Sequence, residues 1–121
     1  KFLKVDFEKN QNWYKDYCDK YNLIILSELL HCKNRIWREY LIKSCYEMLK
    51  NGGNLLICEK KPTVYFQWRM DIFTNGGECI SRKEILDLII NNNKLYKLKF
   101  KEVSTLNKGS HYLIKLKKGS N

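Results

Sequence analysis

The sequence predicts a single α/β domain whose sheet ends in an antiparallel hairpin. Two short apolar runs, at residues 23–26 and 55–58, lie on either side of a segment with helical periodicity. Parallel strands joined by a helix give this pattern. Residues 97–117 instead alternate apolar and polar positions over most of their length, as strands with one buried face do. The chain of 121 residues has the length of one domain.

The first half of the chain contains two predicted strands and one amphipathic helix. Residues 2–5 are a short apolar strand, and aromatic residues at roughly helical spacing follow it. We expect residues 22–27 to form a strand buried on both faces, because the run is apolar without alternation. Residues 34–50 carry an apolar stripe at helical spacing. The Asn-Gly-Gly sequence at 51–53 is a helix stop, since glycine adopts the left-handed conformation without penalty.

The second half predicts one more helix and a hairpin. Ser81 and Glu84 have the spacing of a capping box, and the Asn run at 91–93 ends the helix that they open. Residues 97–105 and 112–117 are antiparallel strands joined by a turn at 107–109. In the first of these strands we expect three inward-facing residues, with a slip in the alternation near Glu102; they are Leu98, Phe100 and Val103.

Composition excludes several classes of protein. With only 6 Gly and 1 Pro, the chain is neither collagen-like nor disordered, and no apolar run approaches the ~20 residues of a membrane span. The five cysteines are all at least 13 residues apart, so none has zinc-ligand spacing. Their odd number and the lack of a visible signal peptide favour reduced thiols in a cytoplasmic protein.

The net charge of +10 comes mainly from lysine, which supplies 19 of the 23 basic residues. Lysines at 94, 97, 99, 101, 108, 115, 117 and 118 project mainly from one face of the predicted hairpin. They are either an RNA-contacting stripe or a solvated edge that prevents strand pairing. We favour the solvated edge, because RNA recognition also uses exposed aromatic side chains.

Four segments carry a family resemblance. Residues 22–31 (NLIILSELLH) and 49–59 (LKNGGNLLICE) resemble the second half of class I S-adenosylmethionine-dependent methyltransferases. Residues 70–77 (MDIFTNGG) and 110–117 (SHYLIKLK) resemble the small-molecule O-methyltransferases more closely. The resemblance implies a Rossmann-like methyltransferase sheet, with residues 1–121 as a single partial domain. This domain corresponds to the C-terminal half and lacks the first βαβ half, because the family's Gly-rich G-x-G loop is missing.

The family's sheet order, 3-2-1-4-5-7-6, also has consequences for partners. The predicted strand at 22–27 resembles the fourth strand, and the strands that lie between the third and the fourth are missing. Its edge is therefore expected to be bare, which is an aggregation hazard unless something covers it. The missing N-terminal half or another chain is the expected cover.

The resemblance implies catalytic roles for His31 and Glu78. His31 is the expected general base, which removes the proton of an acceptor hydroxyl as its oxygen attacks the methyl group. The alternative is a strand-end histidine with a structural role. The family often has a Glu that orients this His at the position of Cys79, so Glu78 is displaced by one residue. Its alternative role is that of an ordinary loop acid.

The resemblance also implies the binding residues. Asp6 and Phe7 match the acidic-aromatic pair beside the adenine of S-adenosylmethionine. Leu26 and Ser27 would lie near the amino-acid end of this cofactor, although many O-methyltransferases have Lys or Arg in place of Ser27. The acceptor pocket would contain three large side chains, for which core packing is the alternative; they are Trp68, Met70 and Phe73.

The implied function is methyl transfer from S-adenosylmethionine to a small-molecule acceptor, in particular a hydroxyl. No metal is implied. One alternative is an RNA methyltransferase, which only the positive charge favours. An alternative of another class is a non-catalytic half-domain that pairs with a partner chain through its bare strand.

Overall fold

The computed structural model describes residues 13–30, 35–63, 67–68 and 79–119. The predicted strand at residues 2–5 lies outside them. The described elements are a 3-10 helix (Trp13–Tyr17), strand β1 (Tyr21–Ser27), helix α1 (Arg35–Met48), strand β2 (Leu49–Lys60), helix α2 (Arg82–Tyr96), strand β3 (Phe100–Lys108) and strand β4 (His111–Lys118).

The four strands form one mixed sheet with the order β1-β2-β4-β3. β1 and β2 are parallel, with Ile25 paired to Leu56. β4 runs antiparallel to both of its neighbours, β2 and β3. An α/β fold with a parallel pair and a terminal antiparallel hairpin is therefore confirmed.

One face of the sheet packs on the helices and contains the core. Because side chains alternate along a strand, every second residue of β2 and β4 is directed to this face. Leu55, Ile57, Ile114 and Leu116 are all fully buried there. They belong to one apolar cluster with residues of both helices, including Ile42, Cys45, Ile85 and Ile89.

β1 is less buried than its sequence predicts. Leu26 lies in the core, but Leu23 is 50% exposed and Ile25 is 59% exposed. The prediction of a strand buried on both faces is wrong for the described chain, because only one face of β1 meets the helical layer. Within the described residues, no strand pairs with the outer edge of β1. This bare edge agrees with the expectation from the family's strand order.

The two sequences predicted to end helices do not do so. α1 passes directly into β2, and residues 51–53 lie within that strand, at an irregularity in its pairing with β1. Gly52 has φ +81° there, which explains a glycine at this position. The Asn run at 91–93 lies inside α2. The helix continues because Asn92 donates to the carbonyl of Glu39 on α1 at 2.9 Å, a contact that helical periodicity does not reveal.

The local signals at the other boundaries are confirmed. Ser81 caps α2, and the reciprocal hydrogen bonds with Glu84 complete the capping box. The β3–β4 hairpin forms with the predicted slip, since the pairing register shifts between Glu102 and Ser104. Val103 lies at this irregularity and is 51% exposed, so its predicted inward position is wrong.

Lys118 is not part of the solvated set of lysines. Its side chain is buried, and its ammonium group donates to the carbonyls of Tyr46 and Leu49, each at 2.8 Å. The same ammonium lies 4.4 Å from the centre of the Tyr46 ring. Lys118 thus binds carbonyl groups at the C-terminal end of α1, where the helix dipole favours a cation.

Candidate active site at the carboxyl end of β1 and β2

The carboxyl ends of the parallel pair β1 and β2 meet at one edge of the sheet, where open α/β sheets bind ligands. Of the two cofactor residues predicted here, Leu26 has a buried side chain in the core, and Ser27 is exposed. The chain then turns at Glu28, which has φ +52°. The Glu28 amide donates to the carbonyl of Cys58 on β2 at 2.8 Å, and this contact ties the end of β1 to β2.

Both backbone polar groups of Leu30 are held by buried charged side chains. The Leu30 amide donates to the Glu59 carboxylate at 3.1 Å. The Arg38 guanidinium donates to the Leu30 carbonyl at 2.6 Å. Leu30 itself is fully buried. The backbone immediately before His31 is therefore fixed by β2 on one side and by α1 on the other.

Glu59 and Arg38 are unusual residues to bury. Glu59 has no exposed surface and Arg38 is only 5% exposed, although charged side chains are costly to remove from water unless they are paired. Neither residue is among the predicted site residues. A signal for Glu59 was available, because it shares the alternation of Leu55 and Ile57 and must be directed to the same buried face. A signal for Arg38 was also available, because it lies three, four and seven residues before Leu41, Ile42 and Cys45 and so shares the buried stripe of α1.

A second buried group holds the segment that leads into α2. The Tyr112 hydroxyl donates to the Ile80 carbonyl, and the Tyr112 side chain is buried. Burial raises the pKa of this hydroxyl, and the nearby carboxylates of Glu59 and Glu84 add to the effect. The neighbouring Cys79 amide donates to the Gln67 side chain at 3.0 Å. The backbone just after Glu78 is thus anchored to β4 and to residue 67.

One contact joins the hairpin to the end of β1. His111 Nε2 lies 3.5 Å from Glu28 Oε1, and both side chains are partly exposed. This contact is an ion pair when His111 is protonated. It lies at the same edge of the sheet as the Leu30 contacts.

Most of the predicted site residues fall outside the described part of the chain. This applies to Asp6, Phe7, His31, Met70, Phe73 and Glu78. Trp68 is described and is 56% exposed. Among the described candidates, the structure therefore brings together only Leu26 and Ser27, and the roles of all nine remain predictions.

Three further features concern only the described residues. No group of three or more His, Cys, Asp or Glu side chains is placed to hold a metal ion. No helix among them is long and apolar enough to cross a membrane. The described cysteines, at 18, 45, 58 and 79, are free thiols.

Several solved methyltransferases superpose on this chain. An O-methyltransferase family protein from Burkholderia thailandensis superposes with a TM-score of 0.76 at 19% identity, over 99% of this chain and 36% of the other. Human N-acetylserotonin methyltransferase in complex with S-adenosylmethionine gives 0.69 at 19% identity, over 98% and 34%. The mitomycin 7-O-methyltransferase MmcR gives 0.75 at 13% identity, over 98% and 34%.

These comparisons establish the fold of the chain. It is a Rossmann-like methyltransferase fold, as the resemblance implied, and the chain spans about a third of the length of these three structures. The match corresponds to the C-terminal part of such a fold. No protein-family model and no curated protein matches the sequence.

Proposed function

We propose that this chain supplies the C-terminal part of an S-adenosylmethionine-dependent methyltransferase that acts on a small-molecule hydroxyl. The observation that carries the proposal is the fixed backbone of Leu30 at the carboxyl end of β1, in a fold shared with O-methyltransferases. Two buried charged side chains, Glu59 and Arg38, hold the backbone of the residue that precedes His31. Such rigid support is what a reacting group requires of its surroundings.

S-adenosylmethionine supplies an electrophilic methyl carbon on a sulfonium. In the proposed reaction the acceptor oxygen forms a bond to this carbon as the carbon–sulfur bond breaks, and the sulfur keeps the electron pair. The products are a methyl ether and neutral S-adenosylhomocysteine. His31 takes the proton of the acceptor hydroxyl, for which a group with a pKa near neutrality is suited.

Glu59 and Arg38 act through His31 and are positioning residues in this proposal. Their contacts with Leu30 limit where the following residue can lie. Tyr112 has the same relation to Glu78, because it holds Ile80 two residues further along the chain. Both catalytic candidates are thus adjacent to anchored backbone.

The remaining candidates supply binding. Asp6 and Phe7 contact the adenine, and Ser27 contacts the amino-acid end of the cofactor, beside Leu26. The acceptor is held by Trp68, Met70 and Phe73. The exposed side chain of Ser27 at the end of β1 supports this assignment, since a cofactor can reach it.

The proposal includes a further polypeptide segment. The chain matches about a third of its structural neighbours, and the outer edge of β1 is unpaired within the described residues. An N-terminal half, in the same chain or in another, would cover this edge and add contacts to the cofactor beyond those that this chain makes by itself. Free thiols at the described cysteines support a cytoplasmic location.

The test is photolabelling of the purified chain with S-adenosylmethionine that carries a tritiated methyl group. After ultraviolet irradiation and digestion with trypsin, we expect label in the peptides 21–33 and 5–9, which contain the cofactor candidates. Excess S-adenosylhomocysteine should remove this label, and excess NAD should leave it unchanged. Substitution of Ser27 by Trp should also remove it, because the bulky ring fills the end of β1.

A denatured sample provides the background. Labelling at the background level, labelling confined to other peptides, or equal competition by NAD would contradict the proposed cofactor site.

A further inference from the structure

A cavity of about 490 Å³ lies between α1 and α2, near the N-terminal ends of both helices. Small-molecule sites in proteins have volumes of about 300–1,000 Å³, so this space has room for a compact ligand. Two of its lining residues also anchor the candidate active site. Arg38 binds the Leu30 carbonyl, next to His31, and the carbonyl of Ile80 accepts from the Tyr112 hydroxyl. We call this space the α1–α2 cavity.

The two helices give the α1–α2 cavity walls of opposite charge. On α1, Arg35 and Arg38 are three residues apart and therefore lie on the same side of the helix. On α2, Glu84 and Asp87 have the same spacing and also line the cavity. The buried side chain of Leu88 adds an apolar part to the lining. A ligand in this space therefore meets cationic, anionic and apolar groups together.

The charges of the two walls are not paired with each other. Arg35 pairs through Nε with Glu39 on its own helix at 3.4 Å, and within the described part of the chain no ion pair joins the α1 wall to the α2 wall. Glu84 accepts from the Ser81 amide through one carboxylate oxygen and is exposed, as is Asp87. Opposite charges on two sides of a cavity can both be satisfied by one molecule that carries both signs.

We propose that the α1–α2 cavity binds the acceptor, and that this acceptor carries an amino-acid group, with a carboxylate and an ammonium, in addition to its hydroxyl. The carboxylate pairs with Arg35, the ammonium pairs with Asp87, and the carbon skeleton packs on Leu88. Arg38 connects this space to the backbone that precedes His31, the general base. The inference deepens the proposed function and rests on it, because the ligand is the molecule whose hydroxyl receives the methyl group.

The experiment is an NMR titration of the purified, isotopically labelled chain with phenols in the absence of cofactor. Tyrosine has both charged groups, tyramine lacks the carboxylate, para-hydroxyphenylpropionate lacks the ammonium, and para-ethylphenol lacks both. We expect tyrosine to bind about fivefold more tightly than either singly charged phenol and about twentyfold more tightly than para-ethylphenol. The backbone amides of Arg35, Asp87 and Leu88 should shift, and the differences in affinity should shrink at high salt.

Two substitutions separate the charges of the ligand. Asp87→Asn should abolish the preference for tyrosine over para-hydroxyphenylpropionate and keep the preference over tyramine. Arg35→Gln should do the reverse, because it removes the partner of the carboxylate. The matched controls are Lys83→Gln and Glu102→Gln, at exposed positions outside the cavity lining, and both preferences should be kept in them.

Several results would overturn the inference. These are equal affinity for the four phenols, unchanged preferences in Asp87→Asn or in Arg35→Gln, loss of the preferences in the control variants, or amide shifts confined to residues outside α1 and α2. Displacement of tyrosine by S-adenosylhomocysteine would also overturn it, because tyrosine would then occupy the site of the cofactor's amino-acid end. Binding of the phenols is measured without cofactor, so its failure is distinguishable from a failure of photolabelling by S-adenosylmethionine.

Discussion

Removal of the Glu59 carboxylate should lower the free energy of unfolding and speed hydrogen exchange of the Leu30 amide, next to His31. Glu59→Gln keeps a side-chain oxygen that accepts from the Leu30 amide, but it removes the negative charge from a fully buried site near Tyr112. Glu59→Leu removes the acceptor as well. The two substitutions therefore separate the charge from the hydrogen bond.

The expected losses in the free energy of unfolding follow from burial. Weakening one buried, charge-assisted hydrogen bond costs about 1–2 kcal/mol, which we expect for Glu59→Gln. Leaving the buried Leu30 amide without an acceptor costs about 2–3 kcal/mol, which we expect for Glu59→Leu. At a urea dependence of about 1.5 kcal/mol per molar, the unfolding midpoint should fall by about 1 M for Glu59→Gln and by about 1.5–2 M for Glu59→Leu.

Urea unfolding followed by tryptophan fluorescence measures these losses, and hydrogen exchange of the Leu30 amide reports the local contact. Glu102→Gln on β3 is the control, because this carboxylate is exposed and its loss should cost within about 0.5 kcal/mol. If Glu59→Leu has the same midpoint as Glu102→Gln, or if the Leu30 amide exchanges at an unchanged rate, the contact does not support the site as argued.

Three other changes test the remaining contacts by the same urea assay. Lys118→Met should lower the free energy of unfolding by about 2–4 kcal/mol, because it removes the cation from the end of α1. Lys117→Met, at the exposed position beside it, should change this free energy by less than about 0.5 kcal/mol. Equal losses in the two variants would refute the role of Lys118. The free energy of unfolding should fall as the pH rises above about 10, because the unfolded state loses the Tyr112 proton before the folded state does. Tyr112→Phe should make the dependence of this free energy on pH less steep. An unchanged dependence in this variant would refute the burial of the Tyr112 hydroxyl as its cause. Ser81→Ala should cost about 1 kcal/mol and Ser81→Thr much less, since Thr keeps the capping hydroxyl; equal losses in both would argue against the cap.

Short-range patterns in the sequence predicted most of the architecture. The capping box at Ser81, the alternation of β4 and the slip near Glu102 all depend on neighbouring residues, and each is confirmed. The positions of these helices and strands could therefore be predicted without knowledge of the fold. The order of the strands came instead from the family resemblance, and the fold comparisons agree with it.

The errors occur where distant residues decide the outcome. The Asn run continues α2 because Asn92 reaches the carbonyl of Glu39, 53 residues away in the chain. Lys118 is buried because it lies at the end of β4, next to the C-terminal end of α1. There its ammonium group donates to the carbonyl of Tyr46, which is 72 residues away in the chain. β1 has an apolar sequence but an exposed face, because what would cover it is not among the described elements.

The candidate site was predicted only in part. The resemblance selected Ser27 and His31 at the end of β1, but the contacts that hold this segment come from Glu59 and Arg38. A charged residue at the end of an apolar strand gives no indication of its partner. Only the parallel pairing of β1 with β2, together with the packing of α1, brings these groups to Leu30.

An NMR titration of the isotopically labelled chain with S-adenosylhomocysteine tests directly whether the carboxyl end of β1 binds the methyl donor. We predict shifts of the backbone amides of Ser27, Glu28 and Leu30 that saturate at millimolar ligand or below, with no such shifts when NAD is added. Amide signals at the carboxyl end of β1 that stay unchanged at several millimolar S-adenosylhomocysteine, or that shift equally with NAD, would contradict the assignment of a methyl-donor site to this chain.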